Sequence, residues 1–260
     1  MAAALFIYFF GASALAMSDQ AELSIGRAVD VKIRKHYGVF EDSQIQKYIE
    51  HVGTKIVSVS DRQDIVYHFA VLNTDAINSL GVAGGYVYIT RGMLAEIESE
   101  AELAAALASE IVHISRRHGI NRIERAMKFD ENFNKITDRS RAFLRAVNTA
   151  YNFVKAGYGK KLQTEADIKG AEYLLRAGYD TDAMIKLFDM VQVQEKKNPG
   201  LVLDLVKMHY KTTKRIDAVK LMQNNLKAVD ANKYNSVSGN FYAEKYRKNV
   251  LYILDAGGNG

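Results

Sequence analysis

The sequence predicts an α+β protein, mostly helical, with a small antiparallel sheet. Three observations predict it. Apolar residues recur at three- and four-residue spacing over most of the 260 residues. Two short stretches are rich in β-branched and aromatic residues instead, one of them alternating. A single proline in the whole chain leaves long helices uninterrupted.

The elements follow in order. The opening run MAAALFIYFFGASALAMSDQ is apolar and then rich in small residues, and Ala14-Leu15-Ala16 fits an A-x-A cleavage site. Residues 1–16 therefore read as an export leader, with the exported chain starting near Met17; an uncleaved anchor or a buried helix is the other reading. DQAELSIGRAVDVKIRKHYGVF reads as a helix that stops near Tyr37 and Gly38. EDSQIQKYIEHVGTKIVSVS is a second, with Ile45, Tyr48, Ile49, Val52 and Ile56 at helical spacing. DIVYHFAVLN alternates and reads as a strand. In INSLGVAGGYVYITRGML, Gly81, Gly84 and Gly85 mark a glycine-rich turn into a short strand, Tyr86 to Thr90. Ser99 and Glu102 form a capping box at the start of the next helix, and Gly119 is expected to cap its far end. A charged helical segment, residues 121–156, has no functional reading. KKLQTEADIKGAEYLLRAGYD is a helix ending at Gly178, and LVLDLVKMHY and KTTKRIDAVKLMQNNLKAV are two more. The expected organisation is a leader (residues 1–16), one domain (residues 17–228) and a C-terminal extension (residues 229–260) with a disordered end.

Composition narrows the classes. At 48% hydrophobic and 25% charged residues the chain suits one globular domain with a substantial core. The absence of cysteine excludes disulfides, thiolate metal sites and a cysteine nucleophile. The net charge of +5 is spread over intermixed basic and acidic residues. That argues against nucleic acid as a partner and suits peripheral contact with an anionic membrane or envelope surface.

The chemistry centres on AELAAALASEIVHISRRHG, residues 101–119. In an H-E-x-x-H helix the two histidines, four residues apart, face the same way and share one zinc, while the glutamate activates a zinc-bound water. Here the first histidine is replaced by Ser109, so SEIVH offers Glu110 and His113 alone. Leu103, Leu107, Ile111 and Ile114 form an apolar stripe, and Ala106, Ser109, Glu110, His113 and Arg117 share another face. On spacing alone Glu110 reads as a solvated carboxylate and His113 as an ordinary histidine. Ser109 as a nucleophile with His113 as its base is a remote arrangement, since it also needs an oxyanion hole. His118 reads as a cation at the helix C-terminus.

Further motifs carry a resemblance. ELSIGRAV, YIEHVGTKI, YHFAVLNTDAINSLGVAGGYVYITRGML, SEAELAAALASEIVHISRRHG, EADIKGAEYLLRAGYD and HYKTTKRIDAV lie within roughly residues 22–226. Together they resemble family forty-eight of the metallopeptidases, the gluzincins that include the CAAX prenyl endopeptidase and periplasmic, BepA-like quality-control proteases. The resemblance implies a zincin-like (gluzincin) fold. It implies a zinc held by two histidines of H-E-x-x-H and the first glutamate of E-x-E-A-D. This chain has Ser109 at the first position and Gln163, in QTEAD, at the last. Glu110 as base, His113 as ligand and Asp167 and Arg215 as supporting residues persist. His209 matches a later histidine that in relatives adds a further, inhibitory zinc ligand, although Tyr210 replaces the proline that follows it. Gly84, Gly85, Tyr86, Val87 and Tyr88 match the substrate-binding edge strand, with Ala83 where relatives have proline. An exposed strand edge binds extended peptide by strand addition; a core strand with one covered edge is the other reading of Tyr86 to Thr90.

Two lost ligands predict a crippled zinc site, so no cofactor is expected at full occupancy; zinc is the cofactor if the site still works. A weak site of His113, His209 and Gln163, with Glu110 as a fourth group, is the intermediate case. The expected protein is an exported pseudopeptidase that holds a polypeptide or an envelope partner in its cleft. The alternatives are an active zinc endopeptidase of envelope proteins and a scaffold in an envelope assembly.

Overall fold

The computed structural model describes residues 17–130, 136, 138–200 and 212–257. The leader and His209 lie outside the described residues, as does most of the expected disordered end. Helices α1 (Asp19–Tyr37) and α2 (Ser43–Val57) precede three strands, β1 (His68–Leu72), β2 (Ser79–Val82) and β3 (Tyr86–Thr90). Then come α3 (Arg91–Glu96), α4 (Glu100–Ser115), α5 (His118–Phe129), α6 (Arg139–Ala156), α7 (Lys160–Arg176), α8 (Asp182–Lys197) and α9 (Thr212–Val229). The C-terminal segment holds α10 (Ala231–Ser236), α11 (Ala243–Tyr246), a π-turn (Arg247–Leu251) and α12 (Tyr252–Gly257). Among the described residues no helix is long and apolar enough to cross a membrane.

Local chemistry sets the helix ends. Ser18, Asp42 and Asp138 accept backbone N–H bonds at the starts of α1, α2 and α6. Ser99 accepts from the Glu102 N–H while Glu102 reaches back to the Glu98 N–H, a variant of the expected capping box. The far end of α4 differs from expectation. Gly119 lies inside α5, and the left-handed residue at the break is Arg117, at φ 56°. Its side chain is tied to Asp19, Glu22 and the Met17 carbonyl, and these tertiary contacts offset the cost of a non-glycine residue there.

The sheet is mixed rather than antiparallel. Its order is β1-β3-β2, with β1 parallel and β2 antiparallel to β3. The turn at Ala83-Gly84-Gly85, with both glycines at positive φ, folds β2 back on β3, and β3 slots in beside β1. This corrects the assignment of residues 86–88 to an edge. Tyr86, Val87 and Tyr88 belong to the central strand, paired on both sides and buried along its length. Gly84 gives its N–H to Glu22 in the turn. The strand edge beside α4 is β2.

α4 runs through the middle of the molecule and packs on α7, α2, α8 and β2. Every residue from Glu100 to Ile114 is buried, so the helix has no solvated face. Its alanines allow neighbours close on all sides. The chain from Asp230 onward joins the same core. Tyr246 is fully buried and donates to the Leu94 carbonyl at 2.6 Å, and Lys245 pairs with the buried Glu100 at 2.6 Å.

Candidate functional site

Glu110 and His113 are carried on α4, Gln163 and Asp167 on α7, and Arg215 on α9. α7 meets α4 at Gly170, where an added Cβ would stand 3.2 Å from the Ser109 nitrogen. That close approach brings Ser109 and Gln163 to one carboxylate. Asp167 is fully buried. Arg215 grips it with Nε at 2.7 Å and a second nitrogen at 2.8 Å, and Gln163 donates its amide at 3.1 Å. The Ser109 hydroxyl points to the same carboxylate at 3.4 Å and to the Met184 sulfur at 3.8 Å. The guanidinium of Arg215 lies over the Phe188 ring at 4.1 Å. Ser109 and Gln163 are therefore members of one buried polar network centred on Asp167.

Glu110, next to Ser109 on α4, lies under the edge strand β2. Its carboxylate accepts the Ser79 hydroxyl at 3.0 Å and the Gly81 backbone N–H. Burial pushes its carboxyl up to about 7; those two hydrogen bonds and the Arg215 charge hold it down only in part, and the Asp167 charge adds to the rise. A carboxyl in that range exchanges protons near neutrality, as a general base does.

His113 is buried, with its Nδ1 2.8 Å from Nδ1 of His118. One ring must donate and the other accept, so both cannot be protonated at that contact. His118 is not a solvated helix cap. Burial lowers its proton affinity, opposed by Glu165 at 3.6 Å from its Nε2. The Tyr158 ring stacks on His113 with centroids 3.6 Å apart and planes 8° from parallel. Burial and the nearby Glu110 charge raise the Tyr158 hydroxyl, so it stays protonated. The sequence reading missed Tyr158, Ser79 and the role of His118. The aromatic between two glycines in AGYGKK, just before QTEAD, was the available signal for Tyr158.

Among the described residues no group of three or more His, Cys, Asp or Glu side chains converges as a metal-ligand set. Of the expected site residues, Ser109, Gln163, Asp167 and Arg215 come together, Glu110 and His113 lie beside them on α4, and residues 84–88 do not form the edge.

A helix bearing SEIVH, a second bearing QTEAD and a strand edge over the glutamate define the class, and the comparison with known families agrees. Residues 41–223 match peptidase family M48, and the chain belongs to that family. It is 26% identical over 188 residues to the beta-barrel assembly-enhancing protease of Escherichia coli (strain K12), covering 64% of this chain and 38% of that one. A counterpart in Vibrio cholerae, provisionally so described, is 29% identical over 182 residues, covering 64% and 37%. The mitochondrial metalloendopeptidase OMA1 of Schizosaccharomyces pombe is 26% identical over 178 residues, covering 66% and 51%. The chain thus spans well under two thirds of the length of these relatives.

Proposed function

We propose that this M48-family protein is an exported pseudopeptidase with a zincin-like fold that binds an extended polypeptide, from an envelope protein, along the β2 edge. The carrying observation is the hydrogen-bonded network at the altered positions. A catalytic zinc needs three protein ligands and an open position for water. Gln163 and Ser109 instead turn their donors to Asp167. They leave His113 as the one imidazole of the motif, and these residues do not fit a catalytic zinc. Binding needs no metal. β2 turns its outer edge toward Glu110, where the Ser79 N–H bonds to the Asn78 side chain and the Gly81 N–H to the Glu110 carboxylate, so an incoming chain would take the edge by displacing these two side chains. An extended chain laid there would gain backbone hydrogen bonds by strand addition. The relatives' names and the chain's basic balance support an envelope setting.

One observation favours the alternative of an active zinc endopeptidase: Glu110 persists with a proton affinity suited to a base. Metal analysis by mass spectrometry separates the two. The purified protein should carry far less than one zinc, and the Ser109→His/Gln163→Glu variant about one. Stoichiometric zinc in the unaltered protein would sink the pseudopeptidase reading. Anisotropy with a labelled unfolded polypeptide, carboxymethylated α-lactalbumin, tests the binding half. Absence of binding would leave the scaffold reading.

A further inference from the structure

The α5–α6 pair enters the cleft only at its near end, through His118 at the start of α5 and Tyr158 after α6. α6 buries Ala142, Ala146, Val147 and Ala150, packs Phe143, Tyr151, Phe153 and Val154 partly against the same core, and exposes Arg139, Arg141, Leu144 and Lys155. That helix carries Arg139, Arg141, Arg145 and Lys155 and no carboxylate. α5 carries Arg122, Arg125 and Lys128 against Glu124 alone. Among the described residues the nearby carboxylates are already engaged. Glu124 accepts from the Met17 nitrogen, Asp130 pairs with Arg145, and Asp138 caps α6 through the Ser140 and Arg141 N–H groups. Among the described residues Arg125, Lys128, Arg139 and Arg141 are exposed and make no ion pair. Amid these cations stand two large apolar side chains, Phe129 at 79% exposure and Leu144 at 59%. The Arg145–Asp130 pair joins their immediate chain neighbours, so Phe129 and Leu144 lie at the same end of the helix pair.

We infer that this end of the α5–α6 pair docks on an anionic lipid bilayer, with Phe129 and Leu144 entering the headgroup region and the surrounding cations meeting lipid phosphates. Cations around exposed apolar side chains are the pattern of an interfacial helix. The charge carries the choice of occupant. Among the described residues at this end, five cations (Arg125, Lys128, Arg139, Arg141 and Arg145) stand against three carboxylates (Glu124, Asp130 and Asp138), a net of two positive charges, and the face is complementary to a negative surface. Two apolar side chains are too little area for a stable protein interface, whereas a bilayer needs only a shallow insertion added to charge attraction. The inference locates the contact that the overall basic balance could only suggest. It does not depend on the cleft, so vesicle binding and polypeptide binding can fail separately.

The test is cosedimentation of the full chain with vesicles of phosphatidylcholine, with and without phosphatidylglycerol. Binding is expected to the anionic vesicles only, and to weaken at high salt. Arg139→Ala/Arg141→Ala should weaken it about fivefold per cation, about 25-fold together. Phe129→Ser/Leu144→Ser should weaken it at least tenfold, from the loss of inserted apolar surface, on the order of tenfold per fully buried side chain. All four positions are exposed, so both variants should melt with the parent, which separates docking from folding. Failure to bind anionic vesicles, equal binding to neutral ones, or full binding by either double variant would overturn the inference; the last result would place any membrane contact elsewhere, such as the apolar N-terminal run.

Discussion

Replacing Glu110 by glutamine should change how stability depends on pH. Glu110 is only 9% exposed, and burial lifts its pKa from 4.5 to about 7 despite the Ser79 and Gly81 hydrogen bonds. The folded state therefore holds the proton more tightly than the unfolded chain. Between about 4.5 and about 7 the folded protein binds more protons, so stability falls as pH rises through that window and levels off above it. Each tenfold change in proton affinity is about 1.4 kcal/mol, so ionised Glu110 gives up about 3 kcal/mol relative to its protonated form. Glutamine keeps an oxygen for Ser79 and Gly81 but carries no charge. Its amide protons recover less than the full amount, a mismatch of about 1 kcal/mol. Glu110→Gln should then match or trail the parent at about pH 4.5 and exceed it by about 2 kcal/mol at about pH 8. Urea denaturation at both pH values measures this directly. Parallel pH dependence for parent and variant would mean that the carboxyl is hydrated and the desolvation argument wrong.

Two further perturbations test the packing. Arg215→Met leaves Asp167 fully buried without its cation and should cost about 3–5 kcal/mol in urea denaturation, with Arg215→Met/Asp167→Asn recovering part of it. A cost below about 1 kcal/mol would show the pair to be hydrated. Gly26→Ala would normally favour a helix by about 1 kcal/mol. Here the new Cβ would stand 2.0 Å from the Ala83 carbonyl oxygen, so the melting temperature should fall instead of rise.

What was legible in the sequence was local. The end of α1, the Ser99 cap of α4 and the Gly84-Gly85 turn depend on a few neighbouring residues, and all three stand where the pattern puts them. The meeting of Ser109, Gln163 and Asp167 was legible because two motifs marked both helices. Strand order was not, because the parallel pairing of β1 with β3 joins segments separated by β2, and no residue pattern records it. That single unread pairing moved the edge from residues 86–88 to β2. Arg117 escaped for a similar reason: Asp19 and Glu22, far away in sequence, hold it in a conformation that glycine usually takes. The all-round burial of α4 hid behind its alanines, which suit a solvated helix equally well.

Asp167 receives Arg215, Gln163 and Ser109 together, and that shared acceptor shapes how the site could change over generations. Substitutions around a common partner do not add. A glutamate returned at position 163 alone would face Asp167 as a second buried carboxylate. A histidine returned at position 109 alone would have to displace the Met184 sulfur and the tight crossing at Gly170. Each step back is unfavourable until the other has been taken and a metal is there to join them. A catalytic metal site could therefore be built here only by changing both positions together, not one residue at a time.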